Sequence, residues 1–313
     1  MSKGTGDAGL GSLGSGAITA AALAVQTGLA AVVGIVLARE FGRGPETDGF
    51  FAAYAVFAVL VLAATAIRLT VLPSLARARA ARRLGAETTA YGLALTVVAV
   101  PALVAALVAA GPIAGLLTGQ EGGLARDTAA EALPWMVLAA VGQLYAGLAA
   151  SALAALDDYR SAAFGFAVGS IAGLGFILLR VEPDGIVALS WGMALNGAIA
   201  LFVPALALAV RARREGMPGG AARPRGASAA SRLAELGRGV ALPLALQAIY
   251  LVSIPFSARE GVGAVTSFGY AYLVASALVA VTASSLGLVT AVPLTRSGLD
   301  AGRVARHAPG VQA

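Results

Sequence analysis

The sequence predicts an all-α integral membrane protein that crosses the bilayer about eight times. Three observations support this prediction: an apolar composition, eight stretches long enough to span a membrane, and an uneven distribution of arginine between alternate loops. Of the 313 residues, 58% are hydrophobic and only 12% are charged, and the mean hydropathy is +0.84. Since soluble domains hold about 25% charged residues, a soluble fold of this composition is excluded.

Eight apolar stretches meet the length requirement for membrane spans. A helix needs roughly 20 mainly apolar residues to cross the hydrocarbon core. The fifth and seventh stretches are short, and the eighth is long enough to tilt. The predicted spans are Ala17–Leu37, Phe50–Leu69, Leu93–Leu116, Leu133–Leu153, Ala163–Leu179, Gly185–Val210, Val240–Phe256 and Val265–Val292.

The basic residues test this count independently, because cytoplasmic loops carry an excess of Lys and Arg. With eight spans, 17 of the 22 basic residues fall on one side and 5 on the other. We therefore expect both chain ends to be cytoplasmic. The formal net charge of +6 then reflects orientation in the membrane and not binding to nucleic acid.

An internal repeat appears at an offset of about 220 residues, where Ala38–Glu40 matches Ala258–Glu260. Each copy ends in a similar stretch, which is Thr70–Pro73 in the first copy and Thr290–Pro293 in the second. Both copies begin with a helix that runs outward, so the repeat is parallel, as in some transporters. The unit is six helices plus a linker, and the chain is expected to be truncated after the first two helices of a second lobe.

The repeat and the spans together predict five segments. A disordered tail precedes a six-helix lobe, a basic cytoplasmic linker separates this lobe from two helices of the next, and a cytoplasmic tail follows. These segments are residues 1–16, 17–210, 211–239, 240–292 and 293–313, respectively.

Ionisable residues inside membranes are costly and are candidates for function. Asp48 lies at the mouth of the second span, where it either contacts a transported substrate or caps the start of its helix. Arg68 lies near the other end of that span, where it either contacts substrate or extends its side chain to the cytoplasmic surface.

Four uncharged polar residues lie within predicted spans: Gln26, Gln143, Asn196 and Gln247. They either line a shared cavity or form hydrogen bonds between helices. Gly165, Gly169 and Gly173 form a small-residue face that favours close helix packing.

No motif indicates an enzyme. The chain has no cysteine and one histidine, which argues against thiolate metal sites and Cys or His nucleophiles. No Walker A, G-x-S-x-G or H-E-x-x-H motif stands in a suitable context. We therefore expect no catalytic residue, metal or cofactor.

The stretch Ala38–Tyr54 resembles the first periplasmic turn of the MurJ/MviN lipid II flippase family, whose pattern is close to FGxGxxTDAFFxA. Three further stretches are similar to that family. They are Ala110–Leu117, Leu133–Trp135 with Ala152–Arg160, and Gly263–Ala271 through Pro293–Arg296. The resemblance extends to the superfamily of multidrug, oligosaccharidyl-lipid and polysaccharide exporters.

This resemblance implies a flippase fold of two six-helix lobes around a cavity that moves a polyprenyl-diphosphate-linked sugar between leaflets. Asp48 matches the family's pattern. The stretches that correspond to the family's cavity arginines carry none, which indicates either a substrate without the diphosphate or a copy that has lost the activity. These stretches are Gln26-Thr27, Val33-Gly34, Phe57–Leu62 and Tyr272-Leu273.

Three functions remain open on the sequence alone. The leading hypothesis is a flippase for a lipid-linked cell-wall or polysaccharide precursor in the bacterial cytoplasmic membrane. The second is an exporter of a small amphiphile or drug. The third is a non-transporting scaffold that binds cell-wall synthesis proteins through the basic loop at residues 211–238.

Overall fold

The chain was analysed as a computed structural model that describes residues 32–119, 122–215, 229–276 and 278. The secondary structure within these ranges is helical, and α1 is described over residues 32–40. A further helix, α9, begins at residue 264. Between them lie α2 Pro45–Ala80, α3 Leu84–Val108, α4 Ala110–Thr118, α5 Leu124–Ala155, α6 Tyr159–Asp184, α7 Val187–Arg214 and α8 Ala229–Ala258.

Six of these helices, α2, α3, α5, α6, α7 and α8, are long and apolar enough to cross a membrane. The prediction of an all-α, membrane-type chain is therefore confirmed. Two of the eight predicted spans lie largely outside the described residues. The first, Ala17–Leu37, is described only from residue 32, and the eighth, Val265–Val292, only to residue 276 and at residue 278.

The third predicted span, Leu93–Leu116, is divided between two helices. Helix α3 ends at Val108, and α4 begins at Ala110 after a break at Ala109, where φ is −115° and ψ is 23°. Pro112 has no N–H and cannot donate to the carbonyl four residues earlier, which favours a break here.

Helix α5 forms the centre of the bundle. In its most apolar window 83% of residues are buried, against 22% in α7 and in α8. Small residues allow this close packing: a Cβ at Gly142 would lie 2.7 Å from the backbone of Gly197 on α7. The outer helices leave large apolar side chains exposed, as helices that face lipid do.

The predicted small-residue face on α6 packs against α7. Cβ atoms at Gly165 and Gly169 would lie 2.8 Å from Pro204 Cδ and from the Asn196 carbonyl oxygen, respectively. A Cβ at Gly173 would lie 2.6 Å from the Gly192 carbonyl oxygen. Since no larger side chain fits at these positions, the prediction of close helix packing is confirmed.

Ion pairs gather several helix ends at one end of the bundle, here termed the arginine-rich end. Arg79 at the end of α2 donates to Asp157 at 2.5 Å and to the Ala155 carbonyl at 2.6 Å. Arg211 near the end of α7 donates to Asp158 at 3.2 Å. The turn between α5 and α6 is thus held by arginines from two other helices.

The structure describes only the two ends of the predicted linker at residues 211–239. Helix α7 continues to Arg214, and α8 begins at Ala229, well before the predicted span Val240–Phe256. Leu236 and Val240 are buried, and Leu233 and Leu244 pack against the same core. This helical spacing of apolar residues explains the early start of α8. Residues 216–228, and the predicted tails at 1–16 and 293–313, lie outside the described residues.

The chain divides into two compact units. The first is Met1–Phe268 and contains α1 to α8 and the start of α9. The second is Gly269–Ala313, in which residues 269–276 are helical.

Candidate functional site

The Asp48 junction is formed by Asp48 near the start of α2 and by Gly263 and Thr266 at the start of α9. Asp48 Oδ2 accepts a hydrogen bond of 2.6 Å from the Gly263 N–H. Asp48 Oδ1 accepts two more, of 2.7 Å from the Thr266 N–H and 2.6 Å from the Thr266 hydroxyl. Asp48 and Thr266 are both buried.

This geometry shows which helix Asp48 caps. No side chain caps the start of α2, where Pro45 occupies an early position. The carboxylate instead satisfies free N–H groups of α9, more than 200 residues further along the chain. The expectation that Asp48 caps its own helix is therefore wrong, because the carboxylate bonds to α9.

The predicted repeat relates the residues on the two sides of this contact, although it does not predict that they touch. Asp48 follows Thr47, and Thr47 matches Thr266 in the alignment of the two copies. Asp48 therefore joins the equivalent helix starts of both copies. All three hydrogen bonds reach Asp48 from donors, so both of its carboxylate oxygens have partners within the protein.

Two glycines allow the junction to close. Gly263 has a φ of +82°, which favours glycine, and its carbonyl accepts a bond of 2.9 Å from Arg43 Nε. Gly49 packs onto the start of α5, where a Cβ would meet the Ala125 carbonyl and lie 2.9 Å from Thr128 Cβ.

Arg68 lies on α2 in a groove formed with α5 and α6. Its guanidinium carbon lies 5.3 Å from the centre of the Phe166 ring on α6. Its aliphatic stem packs on Gly147 of α5, where a Cβ would lie 3.1 Å from Arg68 Cγ. The residue is exposed, and in the described part of the chain no carboxylate forms an ion pair with it.

The distance of Arg68 from the arginine-rich end follows from its position along α2. Arg79, which marks the arginine-rich end, lies 11 residues further on, or roughly 16 Å at 1.5 Å per residue. The guanidinium stacks on Phe166, which lies inside α6 and not at its end. Arg68 is thus a cation near the end of the predicted span Phe50–Leu69, without an ion-pair partner among the described residues.

The three other candidates that the structure describes lie on different helices. Asn196 on α7 faces α6, with its side-chain oxygen 2.8 Å from the position of a Cβ at Gly169. Gln143 on α5 is half-buried. Gln247 on α8 is buried and has a bonding partner. The contact at Asn196 is a helix interface, and Gln26 lies outside the described residues.

Sequence reasoning did not find the Arg232 cluster, which consists of Ser74, Glu87, Tyr91, Arg232 and Glu235. Arg232 forms an ion pair with Glu87 and another of 2.6 Å with Glu235, and its guanidinium carbon lies 5.1 Å from the Tyr91 ring centre. The Ser74 hydroxyl donates to Glu235 at 3.0 Å. This cluster ties the start of α8 to α2 and α3.

The only sequence signal for this cluster is the spacing of Arg232 and Glu235, which places them on one face of a helix. Glu87 is far away in the sequence, and no local pattern points to it. Among the residues that the structure describes, no group of three or more His, Asp or Glu is arranged to hold a metal ion.

The chain matches no family model and no curated protein.

Proposed function

We propose that this chain is a membrane flippase that moves a polyprenyl-linked cell-wall or polysaccharide precursor across the bacterial cytoplasmic membrane. In this proposal the chain crosses the membrane eight times, with both ends in the cytoplasm. The six described spans and the resemblance of Ala38–Tyr54 to lipid II flippases support it.

The observation that carries the proposal is the environment of Arg68. Its charge lies one residue before the cytoplasmic end of the predicted span Phe50–Leu69, at the border of the apolar length of α2, where a cation without a partner is costly. Among the described residues its guanidinium contacts the face of Phe166 and forms no ion pair with a carboxylate. A transported anion would complete this site.

The chemistry of a lipid-linked diphosphate fits this cation. Arginine presents a planar set of donors that matches phosphate oxygens, and such charge-assisted bonds are strong. Arg68 lies outside the stretches that correspond to the family's cavity arginines, so it offers a different source of the same charge. The α6 residue beside it is the apolar Phe166, which suits contact with a polyprenyl chain.

The Asp48 junction supports the transport part of the proposal. It holds the two repeat copies together at the end opposite the arginine-rich end. A flippase that alternates between two openings needs a contact of this kind that is closed in one state and open in the other. Asp48 is therefore proposed as the residue that closes one opening.

The test is a flipping assay in vesicles with the purified full chain and a fluorescent polyprenyl-diphosphate-linked sugar. We expect the wild type to move the probe, and Arg68→Ala to lower the rate by about tenfold or more, the effect of one lost charge-assisted contact. Arg259→Ala is the matched control, because Arg259 also stacks on an aromatic ring, Phe256, at 5.4 Å.

Other outcomes would separate the alternatives. Equal rates with and without protein would exclude the flippase. Efflux of a small cationic dye without movement of the lipid would favour the exporter, and recovery of cell-wall synthesis proteins that depends on residues 211–238 would favour the scaffold. Equal loss in the Arg68 and Arg259 variants would remove the assigned role of Arg68.

A further inference from the structure

An open pocket of about 630 Å³ lies between α2 and the first three turns of α8. Its lining combines hydroxyl groups with charged side chains, and Gly239 brings the two helices into contact at Thr70. It lies on the same stretch of α8 as the Arg232 cluster, at the arginine-rich end. The lining residues are Thr70, Ser231, Arg232, Glu235, Arg238 and Gly239.

Among the described residues, the charges around the pocket leave the terminal amino groups of one arginine without a partner. Arg232 is engaged by Glu87 and Glu235. Arg238 donates from Nε to the carbonyl of Ala234, one turn earlier, at 3.3 Å. Within the described ranges no acceptor meets the two terminal amino groups of Arg238. The lining carries two arginines and one glutamate, and Glu87 supplies a second carboxylate to Arg232, so Arg238 is the lining arginine that forms no ion pair among the described residues.

An apolar stripe continues from Arg238 along the same face of α8. Leu242, Leu246 and Ile249 follow at spacings of four, four and three residues, which places all of them in line with Arg238. Their exposed fractions are 70%, 62% and 65%. The pocket thus offers a cation to the polar head of an amphiphilic ligand. The stripe offers an apolar surface to the chain attached to that head.

We propose that this surface binds an anionic phospholipid that carries a single phosphodiester charge, such as phosphatidylglycerol. The phosphate accepts hydrogen bonds from the free amino groups of Arg238, and an acyl chain lies along Leu242, Leu246 and Ile249. The single guanidinium of Arg238 matches the one negative charge of a diester. The Thr70 hydroxyl donates to the Ala66 carbonyl at 3.1 Å, and its oxygen accepts a hydrogen bond from a hydroxyl of the headgroup.

This site is separate from Arg68. Thr70 and Arg68 lie two residues apart on α2 and therefore point to different sides of the helix. Arg68 faces α5 and α6, whereas Thr70 faces α8. A failure of the proposed transport function would therefore leave the proposed lipid site unaffected, and the reverse also holds.

The test measures binding of phosphatidylglycerol to the purified full chain by native mass spectrometry, with phosphatidylcholine and inorganic phosphate as comparison ligands. We expect saturable binding of phosphatidylglycerol, about tenfold weaker binding in Arg238→Ala, and an intermediate affinity in Arg238→Lys. Leu242→Gln is expected to weaken binding without changing the charge. Arg160→Ala removes an equally exposed arginine from the start of α6 and is expected to have no effect.

Three results would overturn the proposal. Equal weakening in the Arg238 and Arg160 variants would mean that general electrostatics governs binding. Displacement of the lipid by inorganic phosphate at equal concentration would exclude a contribution from the acyl chain. Tighter binding of a polyprenyl diphosphate at Arg238 would assign the pocket to that lipid instead.

Discussion

The Asp48 junction and the Arg232 cluster both connect the later part of the chain to α2, but by different chemistry. At the junction, one buried carboxylate accepts bonds from two backbone N–H groups and one hydroxyl. In the cluster, a partly exposed guanidinium lies between two carboxylates. Backbone donors have fixed positions, whereas long charged side chains rearrange and exchange partners with water.

This difference in chemistry predicts how much stability is lost when a residue of the Asp48 junction or of the Arg232 cluster is substituted. Removing Asp48 leaves buried donors without an acceptor, which costs more than the loss of a solvated ion pair. The junction is therefore expected to be the stronger of the two connections, and the cluster the more adaptable one. Four substitutions test this ranking.

The largest effect is expected for Asp48→Ala, which leaves the N–H groups of Gly263 and Thr266 buried without an acceptor. We expect the free energy of unfolding to fall by about 3 kcal/mol, measured by thermal unfolding of the purified chain in detergent. Asp127→Ala is the control, since Asp127 also lies in a first helical turn but is exposed. A loss no greater than that of Asp127→Ala would contradict the assigned cap.

The second-largest loss of stability is expected for Gly49→Ala, because the added methyl group meets the backbone of Ala125 and the side chain of Thr128. Backbone moves less readily than a side chain, so we expect a loss of about 2 kcal/mol. Gly44→Ala provides the comparison, since a Cβ there has no neighbour within 4 Å and its φ is −168°. Similar melting temperatures for the two variants would show that α2 and α5 are less tightly packed here.

A smaller effect is expected for Arg232→Ala, which breaks the ion pairs with Glu87 and Glu235 and the contact with Tyr91. The Arg232 side chain is 22% exposed, so we expect a loss of about 1 to 2 kcal/mol, between the values for surface and buried pairs. Arg180→Ala breaks a single pair with Asp184 within α6 and should cost less. An effect larger than that of Asp48→Ala would reverse the ranking of the two connections.

The smallest effect concerns Asp158, the N-cap of α6. Burial alone would raise the pKa of its carboxyl, but bonds from the Ser161 N–H and hydroxyl and from Arg211 outweigh it and lower the pKa below its usual value. A lowered pKa stabilises the folded state above the unfolded-state pKa, and this stabilisation is lost as the pH falls through the folded-state pKa.

We therefore expect Asp158→Asn to melt below the wild type at pH 7 and the difference to shrink as the pH falls below about 4. Unfolding temperatures measured between pH 7 and pH 3 check this. Asp157→Asn is the companion variant, because Asp157 bonds to Arg79 but caps no helix. A difference for Asp158→Asn that is constant over this range would contradict the role of its charge.

Much of the fold follows from the sequence because the bilayer imposes simple rules. Length and hydropathy found the apolar part of each of the six described spans, and the spacing of Gly165, Gly169 and Gly173 found the interface of α6 with α7. The start of α8 was missed because its first turns are basic and resemble a linker. Only the burial of Leu236 and Val240 reveals that they belong to the core.

The site was predictable in part. The repeat and the turn pattern singled out Asp48, but periodicity within one helix cannot show that its partners lie on α9. Its charge within a predicted span singled out Arg68, but whether that charge is paired depends on which residues of α5 and α6 face it. A single sequence does not contain that information. Glu87 and Arg232 meet only because α3 and α8 fold against each other, and no local signal predicts such a contact.

The most direct measurement of the central claim is the affinity of the purified chain for three polyprenyl lipids that differ only in the head: diphosphate, monophosphate and alcohol. The wild type is expected to bind the diphosphate most tightly and the alcohol most weakly, and Arg68→Ala to bind the three with nearly equal affinity. If the wild type binds the three lipids equally, or if Arg68→Ala keeps the wild-type order and spacing, Arg68 is not the cation that recognises a transported lipid.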